Sequence, residues 1–187
     1  MINKFFKIIH KKYYKFFKFV FFLRYLFAVF LVSFAAFLII PKFFNYEKRA
    51  ETIKAHLLKN YNLEIKEFDK IYFRSFPTPS LELKNVMINL GFNSAEFNVK
   101  NLKISPNFLS IYNYENFQSK KIILEDNNIT LESSNVKVLA KLLFNQKKKF
   151  SLNNLIIKIN DNNKLIVKLK NINFANYGYN KNLITGE

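Results

Sequence analysis

The sequence specifies one membrane-spanning helix followed by an α+β region dominated by an elongated, twisted antiparallel β-sheet with one or two short helices. Three observations point to it. An uninterrupted apolar run, Tyr25 to Ile40, follows a basic N-terminus that holds no acid before Glu47. From Leu63 onward apolar residues recur with period two, the mark of half-buried strands. Two short stretches instead carry the spacing of an amphipathic helix. At 187 residues the chain has room for one ordinary domain, or a small domain plus an anchor.

Composition removes several function classes. With no cysteine there is no disulfide framework, no Cys-zinc site and no thiol nucleophile. Gly91, Gly178 and Gly186 are scattered, so neither a phosphate-cradling loop nor a dinucleotide fingerprint is present. His10 and His56 are too few for a multi-histidine metal site, and no metal or cofactor is expected. Disorder is excluded by 23 Phe and 10 Tyr, far more apolar surface than a solvated chain carries.

Along the first segment, Lys4, Lys7, Lys11, Lys15 and Lys18 fall within roughly 80° of one another at 100° per residue. Phe5, Phe6, Ile9, Tyr13, Phe16 and Phe17 fill the rest of the circumference. Such a helix suits an anionic membrane surface, so residues 1–18 read as a basic cytoplasmic tail whose lysines, with Arg24, contact lipid headgroups. The sixteen residues from Tyr25 would span roughly 24 Å, short of a hydrocarbon core of roughly 30 Å. Starting the span at Phe19 and closing it at Pro41 supplies the length, with Arg24 snorkelling to the headgroups. A cleaved signal would need a shorter apolar core and a small-x-small site, whereas Ala35-Ala36 runs on into Phe37-Leu38-Ile39-Ile40. The segment reads as an uncleaved anchor over 19–41. Basic residues concentrated before Tyr25 put the N-terminus in the cytoplasm and the C-terminal bulk outside.

Next comes an amphipathic helix over 45–61. Asn45 is its candidate N-cap, and Tyr46, Ala50, Ile53, Leu57 and Tyr61 form one apolar stripe. His56 lies on the flank of that stripe and reads as a packing residue. Residues 62–187 form the β-rich region. Leu63–Phe68 and Ile71–Phe73 read as strands, and Phe76-Pro77-Thr78-Pro79 as a break that no central strand tolerates.

A pattern then appears four times: apolar-x-apolar-x-Asn-apolar-x-apolar. It occupies Leu81–Ile88, Phe97–Ile104, Phe150–Ile157 and Val167–Phe174, with Asn85, Asn101, Asn154 and Asn171 at its centre. Strict alternation would put each Asn on the apolar face, yet the next residue is apolar and restarts the alternation. A β-bulge at a left-handed Asn has this effect. Ile122–Leu124 and Ile129–Leu131 read as a hairpin turned by Asp126-Asn127-Asn128. A short helix over Val136–Phe144 carries Val136, Leu139, Ala140 and Leu143, and Lys147-Lys148-Lys149 reads as a solvated loop. The last strand fades with an uncovered edge, so the sequence is expected to be the N-terminal portion of a longer chain or a module completed by a partner.

Net charge is +17, from 30 basic against 13 acidic residues, but 27 of the 30 are Lys. Lys, Asn, Ile and Phe make up 96 of the 187 residues, and their codons are A/T-rich, so much of the charge reads as base composition. Its concentration at the N-terminus carries the meaning. A nucleic-acid partner is not expected, because the bulk of the chain would lie across the membrane from it.

The stretch Phe76-Pro77-Thr78-Pro79-Ser80-Leu81-Glu82-Leu83-Lys84-Asn85-Val86 resembles the F-P-x-P-x-L-x-L-x-[ND]-V segment near the N-terminus of AsmA-family proteins. There it also comes after a basic N-terminus, one inner-membrane helix and a short amphipathic segment. Ala95-Glu96-Phe97 through Phe108-Leu109-Ser110-Ile111 is similar to the next segment of proteins in that family. Two features depart from it. Tyr61-Asn62 stands where the family has Gly or Thr-Gly, and family members are several times longer.

The resemblance implies a periplasmic protein of the bacterial inner membrane, related to chorein-type bridge proteins, in which a groove-like sheet carries phospholipid and serves outer-membrane biogenesis. Acyl chains gain about 0.8 kcal/mol per buried CH₂, so an apolar groove lowers the cost of moving lipid through water. The groove-lining candidates are the inward alternates Leu81, Leu83, Val86, Ile88, Phe97, Val99, Leu102 and Ile104. An ordinary sheet core packed under a helix would show the same residues. Membrane lipids are the expected partners, with further envelope proteins or a C-terminal continuation beside them. The alternative is a bitopic envelope scaffold that binds another protein through its sheet edge. An enzyme is not expected, because Glu64, Glu67, Asp69 and Glu82 are spread along strands with no convergent nucleophile or base.

Overall fold

The computed structural model describes residues 13–89, 96–113, 115–162, 164–178 and 181–186. The chain divides into two compact units, Met1–Ile40 and Pro41–Glu187. In the first, helix α1 runs over Tyr14–Ile39, 26 residues that rise about 39 Å. From Tyr25 to Ile39 its side chains are apolar but for Ser33, and all but Phe37 and Leu38 are exposed, the pattern of a helix whose solvent is hydrocarbon. It is long and apolar enough to cross a membrane once. The helix begins five residues before the expected span, so Lys15 and Lys18 stand on it with Arg24, all exposed. Lys4, Lys7 and Lys11 lie outside the described residues.

In the second unit a 3-10 turn at Glu47–Arg49, the next element after one at Ile40–Phe43, leads into α2, Ala50–Tyr61. Asn45 helps to start it, its side-chain carbonyl accepting the Lys48 N–H at 3.2 Å. Asn62, left-handed at φ 56°, ends it and donates its N–H to the Leu57 and Leu58 carbonyls. The stripe Tyr46, Ala50, Ile53, Leu57 and Tyr61 is buried along its whole length, as its spacing requires.

Among the described residues the sheet has eight strands: β1 Glu64–Glu67, β2 Lys70–Arg74, β3 Ser80–Asn89, β4 Glu96–Pro106, β5 Ser119–Glu132, β6 Lys149–Asp161, β7 Lys164–Asn176 and β8 Asn182–Thr185. Their order is β1-β3-β4-β5-β6-β7-β8, with β2 also pairing β3. The Phe76-Pro77-Thr78-Pro79 break separates β2 from β3, and its Phe76–Pro77 peptide is cis. All neighbours are antiparallel except β5 and β6, which run parallel. Helix α3, Val136–Phe144, makes the crossover that a parallel pair needs. It buries Leu139 and Leu143, leaves Ala140 partly covered and exposes Val136.

The expected hairpin at Asp126-Asn127-Asn128 is not formed. Residues 119–132 are one continuous strand, and Asp126 adopts φ 54° within it without turning the chain. Ile122 and Leu124 before it, and Ile129 and Leu131 after it, are all buried, so Asp126 shifts the alternation by one. Asn85, Asn154 and Asn171 behave as the repeated pattern predicts, with φ 48°, 54° and 54°. Asn101 does not: its backbone stays on the ordinary side, and the step in β4 falls at Lys100, between inward Val99 and Leu102.

Nor is the device a one-sided bulge in most of the sheet. Lys84 pairs Asn101 and Val86 pairs Val99, so Asn85 lies level with Lys100. By the same reading Lys100 lies level with Asp126, and Asp126 with Asn154. Each strand spends its extra residue at one level, so pairing resumes in register on the far side. Only β6 and β7 slip there, around Leu155. Side chains stitch this crease: Asn154 Nδ2 donates to Asp126 Oδ1 at 2.7 Å, and the Asn154 N–H to Asn173 Oδ1 at 2.9 Å. Left-handed backbone costs roughly 1–2 kcal/mol for a residue that cannot hydrogen-bond locally. Asn154→Val should therefore lower stability by about 2 kcal/mol in urea unfolding, while Asn154→Gly stays within about 1 kcal/mol.

Candidate functional site

Residues directly opposite in a sheet share a face, so the crease lets one apolar face run unbroken across five strands. One row on that face joins Ile88, Phe97, Ile129, Ile157 and Leu169. Burial along it is graded. Ile88, Phe97 and Ile129 are sealed, Ile157 is partly covered, and Leu169 is 42% exposed. The next row repeats this, from sealed Leu131 through Ile159 to Val167 at 38%. At the far edge, buried Phe174 is paired with Ile184, which is 55% exposed.

The covered end accounts for all eight residues expected to line a groove. Leu81, Leu83, Val86, Ile88, Phe97, Val99, Leu102 and Ile104 are each 0–1% exposed. They share one core cluster with Ile53, Leu57 and Tyr61 of α2, Ile111 and Phe117 of the β4–β5 connection, and Leu139 and Leu143 of α3. They are core, not open floor, because the amphipathic helix identified in the sequence needs an apolar surface to bury its stripe and uses theirs. The surface that stays open lies further along the same face, at Val167, Leu169 and Ile184. The alternation of Val167 and Leu169 was visible in the sequence, Ile184 was not read as part of a strand, and nothing said which strands α2 and α3 would leave uncovered.

The opposite face of the covered end is ionic. Glu82 is buried between two partners, with Arg74 Nε at 2.9 Å and the Tyr72 hydroxyl donating at 2.7 Å. Its cross-strand neighbour Lys103 pairs with Glu125 at 2.7 Å. Among the acids noted in the sequence, Glu82 is thus a structural ion-pair member. Exposed Glu64 on β1 accepts from Asn89, and exposed Asp69, in the bend between β1 and β2, accepts from Asn85.

A second polar cluster was missed in the sequence, because its members are 58 to 63 residues apart. His56 is buried on α2, with Nε2 2.8 Å from Ser119 Oγ, and Ser119 Oγ lies 2.9 Å from the Tyr61 hydroxyl. Asn60 Nδ2 sits 3.1 Å from His56 Nδ1 and donates to the His56 carbonyl at 2.9 Å. Serine, histidine and an amide stand in a line here, and the donor and acceptor roles of the two ring nitrogens follow the His56 tautomer. Burial pushes the His56 pKa down to about 4, helped by the positive charge of Lys148 and opposed by a backbone hydrogen bond at Phe117. The ring is neutral at pH 7 and ties α2 to β5. Lys148 is accordingly part of this corner, its ammonium 6.0 Å from the Tyr61 ring centre, instead of being fully solvated as its loop suggested.

Compared with known proteins, the chain matches no family model and no curated sequence.

Proposed function

We propose that the protein is an AsmA-like, single-pass protein of the bacterial inner membrane whose periplasmic sheet offers an apolar floor to phospholipid acyl chains, in lipid transport or outer-membrane biogenesis. The observation that carries this is the graded row from sealed Ile129 to open Leu169, repeated from Leu131 to Val167. A sheet that only closed a core would end its apolar face where the helices end. Here the face continues past α2 and α3 at the cost of exposed Val167, Leu169 and Ile184, and exposed apolar surface of this kind marks an interaction site. The anchor accounts for the acid-free N-terminus, with the basic residues before Tyr25 held in the cytoplasm. The work is binding and hand-over, with no covalent step assigned to the chain.

Two measurements test it. A C-terminal alkaline phosphatase fusion is expected to be active in cells, since that enzyme folds only outside the cytoplasm; an inactive fusion would put the sheet inside and end the reading. Protein extracted in mild detergent and passed to a lipid-free buffer should retain phospholipid detectable by mass spectrometry. Val167→Asp with Leu169→Asp should lower the retained amount more than about tenfold, because each burial lost is worth about 1.5–3 kcal/mol. Unchanged retention in the folded double variant would remove these residues from the site.

A further inference from the structure

The most exposed apolar side chains of the second unit are gathered at one end of its sheet. Phe43, Phe76 and Leu109 are 74–83% exposed, and no other large apolar side chain described in this unit exceeds 58%. Phe76 stands in the β2–β3 connection, just past Arg74, which pairs with Ser80. Leu109 stands in the β4–β5 connection, in a 3-10 turn at Phe108–Ile111. Leu81 beside the first loop pairs with Ile104, and Pro106 beside the second pairs with Ser119, so both loops leave the sheet at the same end. Phe43 is brought to that end by its neighbours. The Phe44 ring meets Tyr112 edge-on at 5.6 Å, and Tyr46 stacks on Phe73 of β2 at 6.3 Å. The Tyr46 hydroxyl also donates to the Pro41 carbonyl at 2.7 Å. One exposed apolar side chain is ordinary. Three at a single end are not, and none of them belongs to the core cluster that holds the fold together.

We propose that Phe43, Phe76 and Leu109 form a footing that dips into the headgroup–acyl boundary of the bilayer spanned by α1. The occupant follows from the chain itself, and this step rests on the anchor of the reading above. Residue 41 closes the span and begins the second unit, so the lipid surface is two residues from Phe43. The two loops that share its end of the sheet add their apolar side chains to the same contact. Apolar side chains partition into that boundary because it removes them from water while leaving the backbone of the loops hydrated. The footing is distinct from the acyl floor. Val167 and Leu169 pair with Ile159 and Ile157, in the second half of β6, whereas β6 begins beside Lys121 at the footing end of β5. The strands thus lead from the bilayer contact toward the open floor. This goes beyond acyl-chain binding: it assigns the end of the sheet that faces the membrane.

The test exploits the absence of cysteine, which lets a single label be placed at will. Thr78→Cys, beside Phe76, and Asp161→Cys, at the far end of β6, are both exposed positions for an environment-sensitive fluorophore. The 187-residue chain is held one copy per nanodisc of neutral phosphatidylcholine. The label at 78 should be quenched by doxyl-labelled lipid and about threefold less by iodide than the label at 161, as a group roughly 5–10 Å into the boundary must be. Phe76→Asp with Leu109→Asp should return it to the iodide quenching of position 161, with circular dichroism and the urea midpoint unchanged. Equal iodide quenching at 78 and 161 in the unaltered chain would overturn the proposal. So would shielding that persists in the double Asp variant, or shielding that arises only when two copies share a disc, which would make this end a self-association surface. A chain that does not enter the disc would remove the anchor and the footing together, whereas an inserted chain with a wet label removes the footing alone. Phospholipid retention is measured separately, so the floor and the footing fail independently.

Discussion

Leu102→Asp should unfold the sheet unit outright. Leu102 is fully buried in the core cluster, on β4 between Leu83 of β3 and Leu124 of β5, both buried as well. An aspartate there would find no partner on the apolar face, and an uncompensated buried charge costs about 3–5 kcal/mol beyond the packing it removes. Against a stability of roughly 5–15 kcal/mol for an ordinary domain, little or nothing would remain. Leu102→Ala, which leaves only a cavity, should cost about 2–5 kcal/mol and keep a folded protein. Both are read by chemical denaturation. Val167→Asp and Leu169→Asp, on the same face but uncovered, should leave the denaturation midpoint nearly unmoved. A core and a floor on one sheet face are thereby separated by a single experiment.

The second large effect is a loss of stability in mild acid. His56 has a pKa near 4 in the fold and 6.5 when unfolded. Between those values the unfolded chain binds a proton that the folded chain refuses, so stability present above pH 6.5 falls as the pH drops toward 4. The loss approaches about 3 kcal/mol at the lower end, at 1.36 kcal/mol per pH unit. Below pH 4 this contribution falls no further. Urea midpoints between pH 7.5 and 4 should trace that slope, and His56→Gln should flatten it while lowering stability at neutral pH. A variant that retains the full slope would show that other groups govern the acid transition.

Much of the fold was legible because its signals are local. Tyr46, Ala50, Ile53, Leu57 and Tyr61 announce a buried stripe by spacing alone, and all five are buried. The left-handed positions Asn85, Asn154 and Asn171 were readable from the restarted alternation around them. Asp126 escaped because Glu125-Asp126-Asn127-Asn128 has the composition of a hairpin turn. Whether such a stretch turns or runs on depends on whether β4 and β6 flank it, and pairing partners are not written locally. The parallel β5–β6 pair was hidden for the same reason. Asn101 misled in the opposite direction: the alternation does step at this point in β4, but at Lys100, one residue earlier, where the pairing is skipped on both sides.

The candidate site was half legible. Alternation correctly located an apolar face, and the eight residues named for it do lie on one. What alternation cannot encode is cover. The share of that face that α2 and α3 consume depends on helix length and docking position, which decide that Leu83 is sealed while Leu169 is open. The His56–Ser119–Tyr61 corner joins residues that no window of sequence brings together.

The most direct test of the lipid-floor reading is site-specific photocrosslinking in intact cells, with a benzophenone amino acid placed at Leu169 and, separately, at exposed Lys168 on the opposite face. The expected result is a phospholipid adduct from position 169, identified by mass spectrometry, and little or none from position 168. Equal lipid crosslinking from both faces, or protein adducts alone from position 169, would contradict an acyl-chain floor on this sheet.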